Sequence, residues 1–134
     1  MKHAVARRRK GYEHELEMRE HRLIVDEPED RGGRDQGPTP TELLAASLAS
    51  CTAITIEMYA DRKEWDLGAV EVTADFQEAT ADSPARFKVD IRSPAELTDE
   101  QRDRILTIAH KCPVHRALTG ADVEIDDSLE LVGG

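Results

Sequence analysis

Aromatic residues make up only 4% of this 134-residue chain, so its core must rest on aliphatic side chains. A basic surface is lacking as well. The formal net charge of −10 argues against a nucleic-acid partner, and the run Arg7-Arg8-Arg9-Lys10 is too short to change that; it reads as a solvated strand edge or terminus. No apolar run is expected to reach the roughly 18 residues of a membrane span, and the basic N-terminus has no apolar region behind it to make a signal peptide. Together these absences predict a cytoplasmic protein without a membrane partner. The only cysteines, Cys51 and Cys112, then read as reduced thiols, redox-active thiols or buried residues rather than as a constitutive bridge. No phosphate-binding loop is present, because Gly32-Gly33 lacks the lysine and the strand-to-helix context. Internal repeats and low-complexity segments are also missing, and the length suits one domain spanning residues 1–134.

What is present is organised around one long helix. Its start is marked by Thr39 as N-cap, Pro40 at the first helical position and Glu42 three residues after Thr39, as in a capping box. From Leu43 through Ile56 to Met58 the residues are almost continuously apolar or small, which predicts a central helix ending near Lys63. Leu44, Leu48, Cys51, Thr55 and Met58 share one face at helical spacing, so the Cys51 thiol is expected in a packed layer.

Before this helix, His14–Met18 and His21–Asp26 alternate about a turn at Arg19-Glu20, an antiparallel hairpin with a possible third strand at Ala4–Arg9. Pro28–Pro38 reads as a loop. After the helix, Leu67–Phe76 and Phe87–Ile91 form a second hairpin around the polar turn Glu78–Pro84. A second helix is capped by Thr98 with Gln101 and runs to about Lys111. Pro113 stops it and opens a short third helix with Cys112 at its N-cap. A last strand is expected at Asp122–Leu131.

Cysteine chemistry is the sharpest possibility these residues offer, because a thiol attacks only when ionised. Cys112 has the better local setting, at a helix N-terminus with His115 and Arg116 one turn on. Cys51, in mid-helix, would need a cation from elsewhere, with Arg31 or Arg34 of the preceding loop as candidates. Both thiols could equally be small buried residues, as free cysteines often are. A zinc site from Cys112 and His115, completed by His110 and Cys51, is a further alternative on one short motif.

Two motifs, Gly37-Pro38-Thr39-Pro40-Thr41-Glu42-Leu43-Leu44-Ala45-Ala46-Ser47-Leu48-Ala49-Ser50-Cys51 and Cys112-Pro113-Val114-His115, resemble those of the OsmC/Ohr superfamily, the osmotically inducible and organic hydroperoxide resistance proteins. The order of elements is similar too, and the chain looks most like the less characterised branch. The resemblance implies an α+β fold, with antiparallel sheets packed around a long central helix in an intertwined homodimer. It implies a thiol-dependent peroxidase for organic hydroperoxides, acting in oxidative-stress defence. Carried over, Cys51 is the nucleophile oxidised to a sulfenic acid, Cys112 is the resolving thiol, and Arg31 stands where some members hold the thiolate with an arginine. An external thiol resets the disulfide; no metal or bound cofactor is implied. Members that use a glutamate place it directly after the proline, where this chain has Thr41, and Glu42 lies about 100° further round the helix. That departure supports an alternative reading, a dimer enclosing a small apolar ligand with the thiols incidental or regulatory.

Overall fold

The computed structural model describes residues 1–120 and 123–133. Its elements are β1 (Val5–Lys10), β2 (Glu13–Met18), β3 (His21–Val25), a 3-10 turn at Glu29–Arg31, α1 (Pro40–Lys63), β4 (Glu71–Gln77), β5 (Arg86–Arg92), α2 (Asp99–Ala109) and α3 (Pro113–Thr119). The α+β fold is as predicted, and most boundaries fall within a residue or two of the sequence expectation. The chain forms two compact units, one of Met1–Ser50 with Glu71–Arg92 and the other of Cys51–Val70 with Ser93–Gly134.

In the first unit, β1, β2 and β3 make an antiparallel sheet in that order, and β4 pairs with β5. Leu16 stands opposite both Ala6 and Leu23. Period-two patterning sets the hairpin: Val72, Ala74 and Phe76 share a half-buried face with Phe87, Val89 and Ile91. Phe76 and Phe87 are cross-strand partners with stacked rings 4.6 Å apart. The basic run lies on exposed β1, where Arg7 pairs with Glu17 at 2.8 Å, the solvated strand that the sequence suggested.

The loop between β3 and α1 is tied down by Asp26, which is 2% exposed. Its carboxylate accepts from the backbone N–H of Glu27, Arg34 and Gln36 at 2.8, 3.3 and 3.1 Å. Burial alone would raise this carboxyl, but the three donors and the charge of Arg34 outweigh it and hold it below its ordinary value. The chain presses close here, since a Cβ at Gly33 would overlap the Glu27 carbonyl and one at Gly37 the Ile24 carbonyl.

The capping box that opens α1 is formed: Glu42 accepts from Thr39 N–H at 2.8 Å, and the Thr39 hydroxyl accepts from Glu42 N–H at 3.1 Å. The fully buried stripe runs through Leu48, Thr52, Ile56, Tyr59 and Ala60; of the predicted face Leu48 is buried, Leu44, Cys51 and Thr55 are half-buried, and Met58 is exposed. Met58 is 60% and Ile54 is 54% exposed. An apolar stretch covering most of a helix leaves the choice of buried face to the packing partner, and one chain covers only one side. Contrary to the expectation from the sequence, α1 is by length and composition apolar enough to cross a membrane, although a core helix passes the same test.

The second unit is built on the later turns of α1, α2 and α3. Thr98 and Gln101 complete the predicted capping box of α2, and Ile105, Ile108 and Ala109 are its buried residues. The strand expected at Asp122–Leu131 is corrected. Asp122 lies outside the described residues, and residues 123–131 are not strand. A strand requires a hydrogen-bonded neighbour, and this segment stands exposed, Ile125 at 79% and Leu131 at 88%.

Candidate functional site

Pro113 shapes the site. As the first residue of α3 it has no N–H to donate, so the first free donors of the helix are those of Val114 and His115. Cys112 is the N-cap, and its sulfur accepts from the His115 N–H at 3.3 Å. This side chain is fully buried. The Val114 N–H is directed at the other thiol, that of Cys51 on α1. The first turn of α3 thus gives one backbone donor to each cysteine.

Cys51 is half-buried and Cys112 faces it; both are free thiols. Burial pushes the Cys51 thiol up, and the neighbouring Cys112 thiol adds to the rise. The Val114 N–H and the Thr55 hydroxyl, one turn along α1, act the other way and favour the thiolate. The net direction is upward, so at neutral pH the resting Cys51 holds its proton. Two neighbouring thiols, one with thiolate-stabilising donors, can support disulfide chemistry once an oxidant reaches the outer one.

The structure therefore brings together Cys51 and Cys112 within the second unit. Arg31 is exposed and lies in the first unit, at the end of the 3-10 turn, followed by Gly32 in the left-handed conformation. Among the described residues Arg31 makes no ion pair, whereas Arg34, the other candidate, is bound to Glu13 at 2.6 Å. Glu42 is occupied by its capping role. His110 and His115 stack with ring centroids 5.1 Å apart, and no group of three or more metal-ligating side chains is found among the described residues, so the zinc alternative loses its ligand set. Sequence reasoning missed the Thr55 hydroxyl and the Val114 N–H. Thr55 was visible at i+4 from Cys51, and Pro113 at the first helical position already made Val114 the first free donor.

A family model described as OsmC-like protein matches residues 33–126, from the loop before α1 to beyond α3. The chain belongs to the OsmC-like family. An uncharacterised protein of Haloferax volcanii is 30% identical over 101 residues, covering 74% of each chain. The OsmC-like fold also matches solved structures. An osmotic stress induced and detoxification response protein of Psychrobacter arcticus superposes with a TM-score of 0.77 at 23% identity, over 87% of this chain and 88% of that one. An organic hydroperoxide resistance protein of Legionella pneumophila gives 0.67 at 23% identity, over 90% of each. At this identity the two structures establish the fold, and OsmC/Ohr superfamily membership stands as the sequence motifs suggested.

Proposed function

We propose that this OsmC-like protein is a thiol-dependent peroxidase that reduces organic hydroperoxides through Cys51 and Cys112. The observation that carries the reading is the facing pair of thiols, with the Val114 N–H and Thr55 hydroxyl turned to Cys51. In the first step the Cys51 thiolate attacks one peroxide oxygen, the O–O bond breaks, and the alkoxide leaves with a proton as the alcohol, giving Cys51 sulfenic acid. In the second, the Cys112 sulfur attacks the Cys51 sulfur, water leaves, and a disulfide forms. An external dithiol then returns two electrons and two protons. The cycle as proposed uses protein sulfur and that donor alone.

The resting thiol is raised, so the reading requires a cation when peroxide binds. Arg31 is assigned that role, since it has no competing carboxylate among the described residues while Arg34 is held by Glu13. The loop anchored by Asp26 keeps Arg31 at a defined place on its own unit. We treat the two units as one functional domain, because the family match runs through both. We also read the protein as a cytoplasmic homodimer. Support comes from α1, of whose apolar window only 28% is buried within one chain, and from the exposed Val123, Ile125, Leu129, Leu131 and Val132. On this reading α1 is a dimer-core helix.

A second reading has its own observation. A groove of about 430 Å³ in the first unit is lined by Ala45, Ala46 and Ala49 of α1 and by Ala74 and Phe76 of β4, together with the polar Thr41, Glu42 and Asp75. It suits a small apolar ligand, with no efficient peroxidase activity. The two readings part on one assay: Cys51→Ser should lose consumption of an organic hydroperoxide in the presence of dithiothreitol. Undiminished consumption by that variant would remove the peroxidase reading.

A further inference from the structure

A second site lies on the same unit as the thiols but further along α1. Tyr59 is eight positions beyond Cys51, about 12 Å along the helix axis at about 1.5 Å per residue. There the end of α1 and the outer side of α2 border a groove of about 820 Å³. At its base is the Tyr59 ring, 8% exposed, met edge-on by Trp65 at a centroid distance of 5.6 Å.

Two cations converge on that ring. The Arg104 guanidinium carbon is 5.6 Å from its centroid, and Lys63 Nζ is 5.8 Å away. Arg104 Nε donates to the Tyr59 hydroxyl at 3.0 Å, which fixes the guanidinium plane and leaves its terminal N–H donors uncommitted among the described residues. Neither Arg104 nor Lys63 forms an ion pair among the described residues, so both charges are open to a ligand. Glu100 and Asp103 line the groove without pairing to them.

We propose that this groove binds a small organic anion with a planar ring, its carboxylate or phosphate held by Arg104 and Lys63 and its ring set against Trp65. An oriented guanidinium matches the two oxygens of such a group, and the aromatic pair supplies an apolar face. Glu100 and Asp103 disfavour a highly charged ligand, so a monoanion is preferred over a dianion. The site is independent of the thiol cycle.

Trp65 is the only tryptophan, so its fluorescence reports this groove directly. The full-length protein is titrated with benzoate, phenyl phosphate, inorganic phosphate and benzyl alcohol. Benzoate should give a saturable change, phenyl phosphate a weaker one, and benzyl alcohol and inorganic phosphate binding at least about tenfold weaker than benzoate. Arg104→Gln should weaken benzoate about tenfold, the scale of one lost charge-assisted hydrogen bond, and added salt should weaken it in the wild type. Lys63→Gln, on an exposed side chain, provides the same test if Arg104→Gln does not fold. No saturable benzoate response, equal binding of benzoate and benzyl alcohol, or unchanged benzoate affinity in a folded variant would overturn the proposal.

Discussion

The Cys112 thiol faces the Cys51 thiol and strengthens its hold on its proton, second only to burial as the cause. The resting pair is accordingly a protonated nucleophile beside its partner. Removing Cys112 should relieve one of the two causes. In Cys112→Ala the pH profile of Cys51 alkylation by iodoacetamide should move to lower pH, because the neighbouring sulfur is gone. Thr55→Val keeps the shape but removes a hydroxyl that favours the thiolate, so its profile should move to higher pH. Opposite shifts in the two variants are the expected result.

Stability should follow the buried stripe of α1, which keeps Leu48 of the expected face and leaves Met58 out. Ile56 is fully buried, and Ile56→Ala should cost about 2–5 kcal/mol in denaturant unfolding, a transfer and cavity loss. Leu48→Ala should behave similarly. In the monomeric chain at low concentration Met58→Ala should cost under about 0.5 kcal/mol, as for an exposed position.

The loop that carries Arg31 should be acid-sensitive. The Asp26 carboxyl is held below its ordinary value in the folded chain, so its contribution is complete above the unfolded value near about 4 and is lost as pH falls through the folded one. Asp26→Asn should therefore melt lower than wild type at neutral pH, with the gap closing below about pH 4. A gap that is constant with pH would mean that the charge of Asp26 does not contribute.

Much of the fold was legible because its signals are local. Thr39 with Glu42, and Thr98 with Gln101, announce helix starts through contacts three residues apart, and the alternation in β4 and β5 announces a two-sided hairpin. The third helix was legible from Cys112-Pro113 for the same reason. What failed depends on surroundings. The face of α1 is set by what covers it, and a run with apolar residues all round does not encode that choice. Val123–Leu131 has strand-like residues but pairs with no strand among the described residues. Both thiols could be named from the sequence, yet the upward shift at Cys51 arises from burial and from a residue far along the chain.

Those two failures point the same way. If α1 and the C-terminal segment are covered by a second copy, sedimentation should give a dimer mass, and Ile125→Glu with Leu131→Glu should shift it toward monomer. A wild-type monomer at micromolar concentration would remove the homodimer reading.

The most direct measurement is intact-mass spectrometry of the reduced protein after brief exposure to one equivalent of cumene hydroperoxide, with hydrogen peroxide in parallel. Rapid loss of two hydrogens, mapped by peptide analysis to a Cys51–Cys112 disulfide and faster with the organic peroxide, is the outcome expected of the two-cysteine cycle. Both cysteines remaining reduced, or oxidising slowly and without preference, would contradict that cycle and leave the Ala45–Phe76 groove as the place to search for a ligand.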